Sequence, residues 1–331
     1  EYNETILFFR LGDFYETFDE DAQTIAEVLD IVLTSRNVGK GQRVPMAGIP
    51  HHAMENYLSR LIDRGHHVAI CEQVGSEPVN GVLPRDVVRI VTPGTVVEPN
   101  LLPGDENNYL ASIVSFEDRA GIAYADITTG EFSATEIQAE DIQSALRAEI
   151  TRLNPAEIIT STTSDLGNGL NGFLSPLPDW KFESGRCEQN LKAHFKVESL
   201  DGFGMKGKPL AIRAAGAIIQ YLKDTQPAAL NLLVRFGAYN LNEYMTLDAT
   251  TRRNLELTQT IRQGTVKGSL LEILDQTVTP MGKRQLQSWL NKPLLDLAAI
   301  HQRQEGITQL FIDNLLREDL RESLKKINDL E

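Results

Sequence analysis

The sequence predicts a multidomain protein, α/β through its first two thirds and α-helical after that, on three observations. Its 331 residues exceed what a single hydrophobic core usually organises. Strand-like and helix-like stretches alternate as far as about residue 235, interrupted near residue 100 by a Pro/Gly/Asn-rich break. Beyond about Gly237 the apolar residues recur at helical spacing. Hydrophobic content of 41% and charged content of 24% are those of a folded globular chain.

The front unit reads as follows. Residues 5–10 form a buried strand, and Gly12-Asp13 makes a turn. Residues 21–33 form a helix with Ala22, Ile25, Ala26, Leu29 and Val32 on one face. Asp19, Glu20 and Asp21 stand at its start, where the helix dipole favours acids. Residues 37–43 are a Gly-rich basic loop, 53–62 a second helix, and 67–71 and 86–91 two further strands. Residues 1–105 are expected to form one compact α/β domain.

A linker over 99–108 introduces the second unit, expected over 106–235. Three strands at 109–116, 121–126 and 130–136 make a meander, followed by a helix at 142–153 and a strand at 157–160. Strands, helix and strand in that order predict a mixed sheet covered by helices. Residues 162–177 read as a loop, and Pro209 opens a helix to residue 223, at a position where its missing N–H costs nothing. From 236 to 331, segments 247–257, 270–275, 281–290 and 297–320 are expected as helices of a bundle. The first residue is Glu1 and the last stretch breaks off inside a helical pattern, so a piece of a longer chain is expected.

Charge and cysteine usage narrow the function classes. A net charge of −14 argues against nucleic-acid binding by the chain as a whole, because duplex affinity draws on Lys and Arg at phosphates. A DNA contact would have to come from a local patch. No apolar run reaches membrane-span length, and residues 6–9 are too short for a signal peptide. Cys71 and Cys187 form neither a disulfide framework nor a zinc pattern, which fits a soluble protein of a reducing, cytoplasmic compartment.

Catalytic motifs are scarce. Two G-x-G-x-x-G matches, at 167–172 and 202–207, lack the strand and acidic partner of a dinucleotide site and read as turns. No Walker-type phosphate loop occurs in the sequence. His51, His52 and Glu55 have metal-ligand types without the second helical turn of ligands, and His66-His67 sits at a helix-to-strand turn, so both read as structural or surface histidines. Asp126 and Glu131 could hold Mg²⁺ in a nuclease, although further carboxylates for such a site are not identifiable. The run Gly12-Asp13-Phe14-Tyr15-Glu16 has two readings. Its aromatics either pack into the core, or an exposed ring with a carboxylate two residues on wedges beside a base. Wedging costs least where pairing is already faulty, so it would sense defects through deformability.

The surrounding residues decide between these readings. The stretches 8–18, 33–36, 45–52, 55–58, 68–73 and 88–95, then 247–256 and 277–284, resemble in order and spacing the landmarks of the MutS family of mismatch repair proteins. The resemblance implies an α/β mismatch-recognition domain, a ribonuclease H-like connector without nuclease activity, and the start of a helical core. It implies that Phe14 stacks in the minor groove at a mispair or small unpaired loop, while Glu16 contacts the base. Protonation of Glu16 on binding would spare it repulsion from phosphates. Arg36 and Met46 match backbone- and groove-contacting positions, and Leu11 a groove-facing one. Tyr15 lies within the motif, and Lys40 and Arg43 could add phosphate contacts. By the same resemblance ATP and Mg²⁺ belong to a longer parent ATPase outside this stretch, with none bound here. A MutL-type repair partner and homodimerisation through other regions are implied too. The rival expectation is a metal-dependent ribonuclease H-like nuclease built on Asp126 and Glu131.

Overall fold

A computed structural model describes residues 5–37, 43–75, 84–98, 100–102, 104–162, 170 and 172–330. The front unit comprises β1 (Thr5–Leu11), β2 (Phe14–Phe18), α1 (Asp19–Leu29), β3 (Thr34–Asn37), β4 (Arg43–Pro50), α2 (Met54–Ile62), β5 (His67–Gln73) and β6 (Arg85–Val91). Its strands form one six-stranded sheet in the order β3-β4-β2-β1-β5-β6, with β1 and β5 parallel and the other neighbours antiparallel. Alternation decides which side is covered. Ile6, Phe8, Tyr15, Ala47 and Ile49 point to one side and pack with Ile25 and Leu29 of α1 and Leu58, Leu61 and Ile62 of α2. The opposite side of β1, β2 and β4 carries no helix, and its residues stay half-buried or exposed.

Three expectations for this unit are corrected. The first strand is half-buried rather than buried, because only alternate residues meet the helices. The first helix stops at Leu29, where Asp30 turns left-handed at φ +56 and its N–H closes on the Ala26 carbonyl. Val32 is accordingly 83% exposed instead of lining a helix face. Between the Gly12-Asp13 turn and the helix, where no strand was expected, residues 14–18 form β2, and Pro45 and Pro50 are accommodated in β4.

The second unit follows with β7 (Tyr109–Phe116), β8 (Arg119–Asp126), β9 (Glu131–Gln138), α3 (Ile142–Leu153), β10 (Glu157–Ser161), β11 (Phe173–Leu177), α4 (Ser184–Phe195), α5 (Pro209–Thr225) and β12 (Gly237–Ala238). The sheet order is β11-β10-β7-β8-β9-β12, with an antiparallel β7–β8–β9 meander and the remaining pairs parallel. On one face Leu146, Ile150 and Leu153 of α3 meet Ile113, Ile122 and Tyr124. On the other, α5 packs against the sheet so closely that a Cβ at Gly121 would lie 2.1 Å from the Leu210 backbone. The expected loop at 162–177 contains β11, and α4 was not expected. The proline-containing β11 is too short and α4 too polar to display a clear period, and parallel pairing to β10 and packing on α5 create them. Of the 167–172 glycine match only Leu170 and Gly172 are described, while Gly204 and Gly207 both sit in turns at φ +75.

The two units are joined through one buried carboxylate. Glu157, at the start of β10 and fully buried, accepts from Thr92 Oγ1 (2.5 Å), the Gly94 N–H (2.9 Å), Ser175 Oγ (2.6 Å) and Tyr221 Oη (2.6 Å), with His67 Nε2 at 3.3 Å. Thr92, Gly94 and His67 come from the front unit; Ser175 and Tyr221 come from β11 and α5.

The last stretch holds α6 (Ala249–Asn254), α7 (Leu270–Leu274), α8 (Pro280–Asn291), α9 (Leu297–Ile312) and α10 (Asn314–Leu324). The expected helix at 297–320 is broken at Asp313, whose side chain caps α10 by accepting from the Leu316 N–H. A packed bundle does not form among the described residues, since α9 and α10 bury no side chain and α8 buries only Arg284. Arg284 instead reaches the Gly104 carbonyl and Asp329, and Lys283 pairs with Asp105. No helix among the described residues is long and apolar enough to cross a membrane.

Candidate nucleic-acid interface

The hairpin of β1 and β2 is closed by Leu11 paired with Phe14 across the two-residue turn Gly12-Asp13. Gly12 takes φ +60 with nothing within 4 Å of where a Cβ would sit, the backbone a tight hairpin turn requires at its first central position. The Arg10 Nε donates to the Gly12 carbonyl and stiffens the tip. Phe14 is thereby presented at the end of the sheet, 49% exposed, as an apolar ring in water.

Register places most of the sequence-derived candidates on one surface. Leu11 pairs with Phe14, Glu16 lies opposite Gly48, Phe18 and Thr34 both lie opposite Met46, and Arg36 lies opposite Val44. With a side-chain period of two, Leu11, Phe14, Glu16, Met46 and Arg36 all project from the helix-free face. Gly48 leaves that face open beside Glu16, whose carboxylate is held by Arg36 Nη1 at 2.7 Å across β4. The side chains of this pair are 49% and 19% exposed, so it adds little stability, about 0–1 kcal/mol. Its consequence is electrostatic: the acid of the motif carries its own counter-charge.

Tyr15 is a correction to the candidate set. It is 2% exposed and points to the helix side, 5.9 Å from the Phe8 ring and 5.6 Å from His51, so it has no surface to offer a ligand. Its hydroxyl donates to Glu72 of β5. Burial and then Glu72 push the hydroxyl up to about 12. The stabilisation is therefore complete below the ordinary tyrosine value of about 10 and is lost as pH rises through about 12. Tyr15→Phe is expected to lower stability by about 1 kcal/mol at neutral pH, read as a urea midpoint. An unchanged midpoint would mean the hydroxyl does not anchor the hairpin.

Arg43 lies at the exposed start of β4 opposite Asn37, on the opposite pleat from Arg36. Lys40 lies outside the described residues. Sequence reasoning missed two cations near the tip. Arg10 stacks 5.4 Å from the Tyr15 ring, and Arg85 stacks 5.1 Å from Phe9 and donates to the Arg10 carbonyl. Neither shows a motif; register alone brings β1 and β6 to the site. Arg10 lies on the Tyr15 side of the sheet, while Arg36 and Arg85 reach inward from the two edge strands β3 and β6 toward Glu16 and Phe9.

The nuclease alternative finds its carboxylates already engaged. Asp126 is fully buried, with one oxygen taking the Thr128 N–H and hydroxyl and the other taking Asn107 Nδ2 and the Asn108 N–H. Glu131 accepts from the hydroxyls of Tyr109 and Tyr124. These acids fasten the β8–β9 turn, and the described residues contain no group of acids, histidines or cysteines that could hold a metal.

Fold and site together define a multidomain α/β protein of the class assembled from MutS domains. Family models match in succession: MutS domain I over residues 1–100, MutS domain II over 108–233 and MutS domain III over 250–331. The chain belongs to the MutS family. Its curated relatives include the DNA mismatch repair protein MutS of Dehalococcoides mccartyi, 48% identical over all of this chain and 38% of the relative. The proteins of the same name from Halothermothrix orenii and Trichormus variabilis are each 45% identical over all of this chain, and over 38% and 40% of their own lengths. The chain thus spans well under half the length of these relatives.

Proposed function

We propose that this chain acts in DNA mismatch repair by reading double-stranded DNA for mispairs and small insertion loops. Phe14 is the wedge entering the minor groove, and Glu16 is the carboxylate contacting the displaced base. The single observation that carries the reading is the 49% exposed Phe14 ring at the tip of a tight hairpin, sharing one helix-free face with Glu16, Arg36, Met46 and Leu11. An apolar ring held in water on a stiff turn gains most when it inserts between bases that stack poorly. The Arg36 pair compensates the Glu16 charge in the free chain. Where Arg36 turns to a phosphate, protonation of Glu16 is the proposed alternative.

Fluorescence anisotropy with mispaired and matched duplexes at two salt concentrations tests the reading. Tighter binding of the mispaired duplex, with a gap that persists as salt rises, is expected. Equal affinity for both would remove it. Arg43 is proposed as a phosphate contact, so Arg43→Ala should weaken both duplexes alike and reduce the salt slope by about one unit. An unchanged slope would show that Arg43 meets no phosphate. Lys40 is proposed for the same role.

The second unit is proposed as a ribonuclease H-like connector serving as a scaffold. The reading rests on the antiparallel β7–β8–β9 meander extended in parallel by β10 and β11 on the β7 side. The last helices are proposed as the opening of a helical core. Mg²⁺-dependent ATP hydrolysis, homodimerisation and recruitment of a MutL-type partner are assigned to sequence beyond this chain, in the cytoplasm.

A further inference from the structure

We infer that the cavity where α6 and α8 meet the second unit is a binding site for a phosphate-class anion, held by Arg252 and Lys292. This site is separate from the Phe14 face and independent of the DNA reading. The cavity measures about 480 Å³ and is walled by α3, α6, the end of α8 and Tyr109. Besides the exposed Arg253, three cations line it: Arg152 from α3, Arg252 from α6 and Lys292 just past α8.

Among the described residues only one of the three has a counter-ion. Glu149 takes Arg152 in a two-pronged pair at 2.8 and 2.6 Å and is completed by the Tyr239 hydroxyl. Arg252 is 8% exposed and spends both terminal nitrogens on Asn291, while its Nε is buried with no acceptor. Lys292 Nζ lies about 6 Å from the Tyr124 and Tyr244 rings, with no carboxylate in pairing distance among the described residues. The neighbouring acid Glu131 is already occupied by two tyrosine hydroxyls, and Glu106 stands exposed at the rim. A buried Arg252 and a half-buried Lys292 beside a third cation leave a positive, polar cavity that a compact oxyanion completes, since it can accept from a guanidinium edge and an ammonium at once. Burial first and Arg152 second push both Lys292 and Arg252 down, the direction expected of crowded cations lacking an anion.

The test is thermal unfolding of this chain in sodium phosphate against sodium chloride at matched ionic strength. The midpoint should rise with phosphate and saturate. Lys292→Met should weaken the phosphate effect about tenfold or more. With no phosphate, Lys292→Met should unfold at the same or a higher temperature, because it removes a cation from beside Arg152. A purely structural lysine would lower that midpoint instead. Lys292→Gln provides a second variant of similar reach. A parallel titration with adenosine monophosphate separates the sources: tighter binding than inorganic phosphate assigns the group to a nucleotide, weaker binding to free phosphate. No rise beyond chloride, or an undiminished rise in both Lys292 variants, would overturn the site.

Discussion

Replacing Phe14 by alanine lowers affinity for a mispaired duplex by about tenfold to a hundredfold and affinity for matched duplex by less than about twofold. The asymmetry follows from where the ring sits. Phe14 pairs with Leu11 and Pro50 along the strands and stands outside the buried cluster, so its removal leaves the buried set of Phe8, Tyr15 and Ile49 intact. What the proposed role would lose is stacking on a base, worth about 1–3 kcal/mol, and that contact would be available only where the duplex can be opened at modest cost. Parallel titrations of both duplexes with the wild-type and variant chains supply the comparison. If the two affinities fall by the same factor, Phe14 contributes general binding and defect sensing lies elsewhere.

Glu157→Ala is expected to lower stability by roughly 3–5 kcal/mol. The substitution strands the hydroxyls of Thr92, Ser175 and Tyr221 and the Gly94 N–H, all aimed at one site from three segments. Glu157→Gln should cost nearly as much, since an amide turns one oxygen into a donor facing donors. The acid range gives a second signature. Burial on its own would raise the Glu157 carboxyl, but hydrogen bonds from His67, Ser175 and Thr92 outweigh it and hold the group below its ordinary value. Its contribution is then present above the unfolded value of about 4.3 and is lost as pH falls through the lower folded value. Urea unfolding across that range should show an acid limb in the wild type that flattens in Glu157→Ala. A limb of unchanged steepness would mean that other carboxylates produce it.

Elements with a strong period were readable from sequence. The 53–62 helix, the meander from residue 109 and the helix from Pro209 all carry an apolar pattern set by their own packing. What escaped was set by pairing. β2 and β11 are short, and β4 and β11 contain proline, so only their neighbours make them strands. In the candidate site, chemistry was legible and direction was not. Phe14 and Tyr15 are adjacent aromatics of similar size, and nothing local says which faces water; the α1 and α2 cover on one side of the sheet decides it. Arg85 and Glu157 were silent because they reach Arg10 and Gly94 across 75 and 63 residues of chain, and Arg10 because it meets Tyr15 across a strand pair no motif marks.

The alternation that separates Phe14 from Tyr15 also makes the hairpin intolerant of a change in length. Because the turn holds only Gly12 and Asp13, one residue inserted there or deleted would shift every following side chain of β2 by one place. Tyr15 and Thr17 would then face outward, and Phe14 and Glu16 would be driven into α1 and α2, exchanging a ring and an acid for a phenol and a hydroxyl at the surface. Drift by substitution is open to this segment; drift by indels is closed unless two occur together.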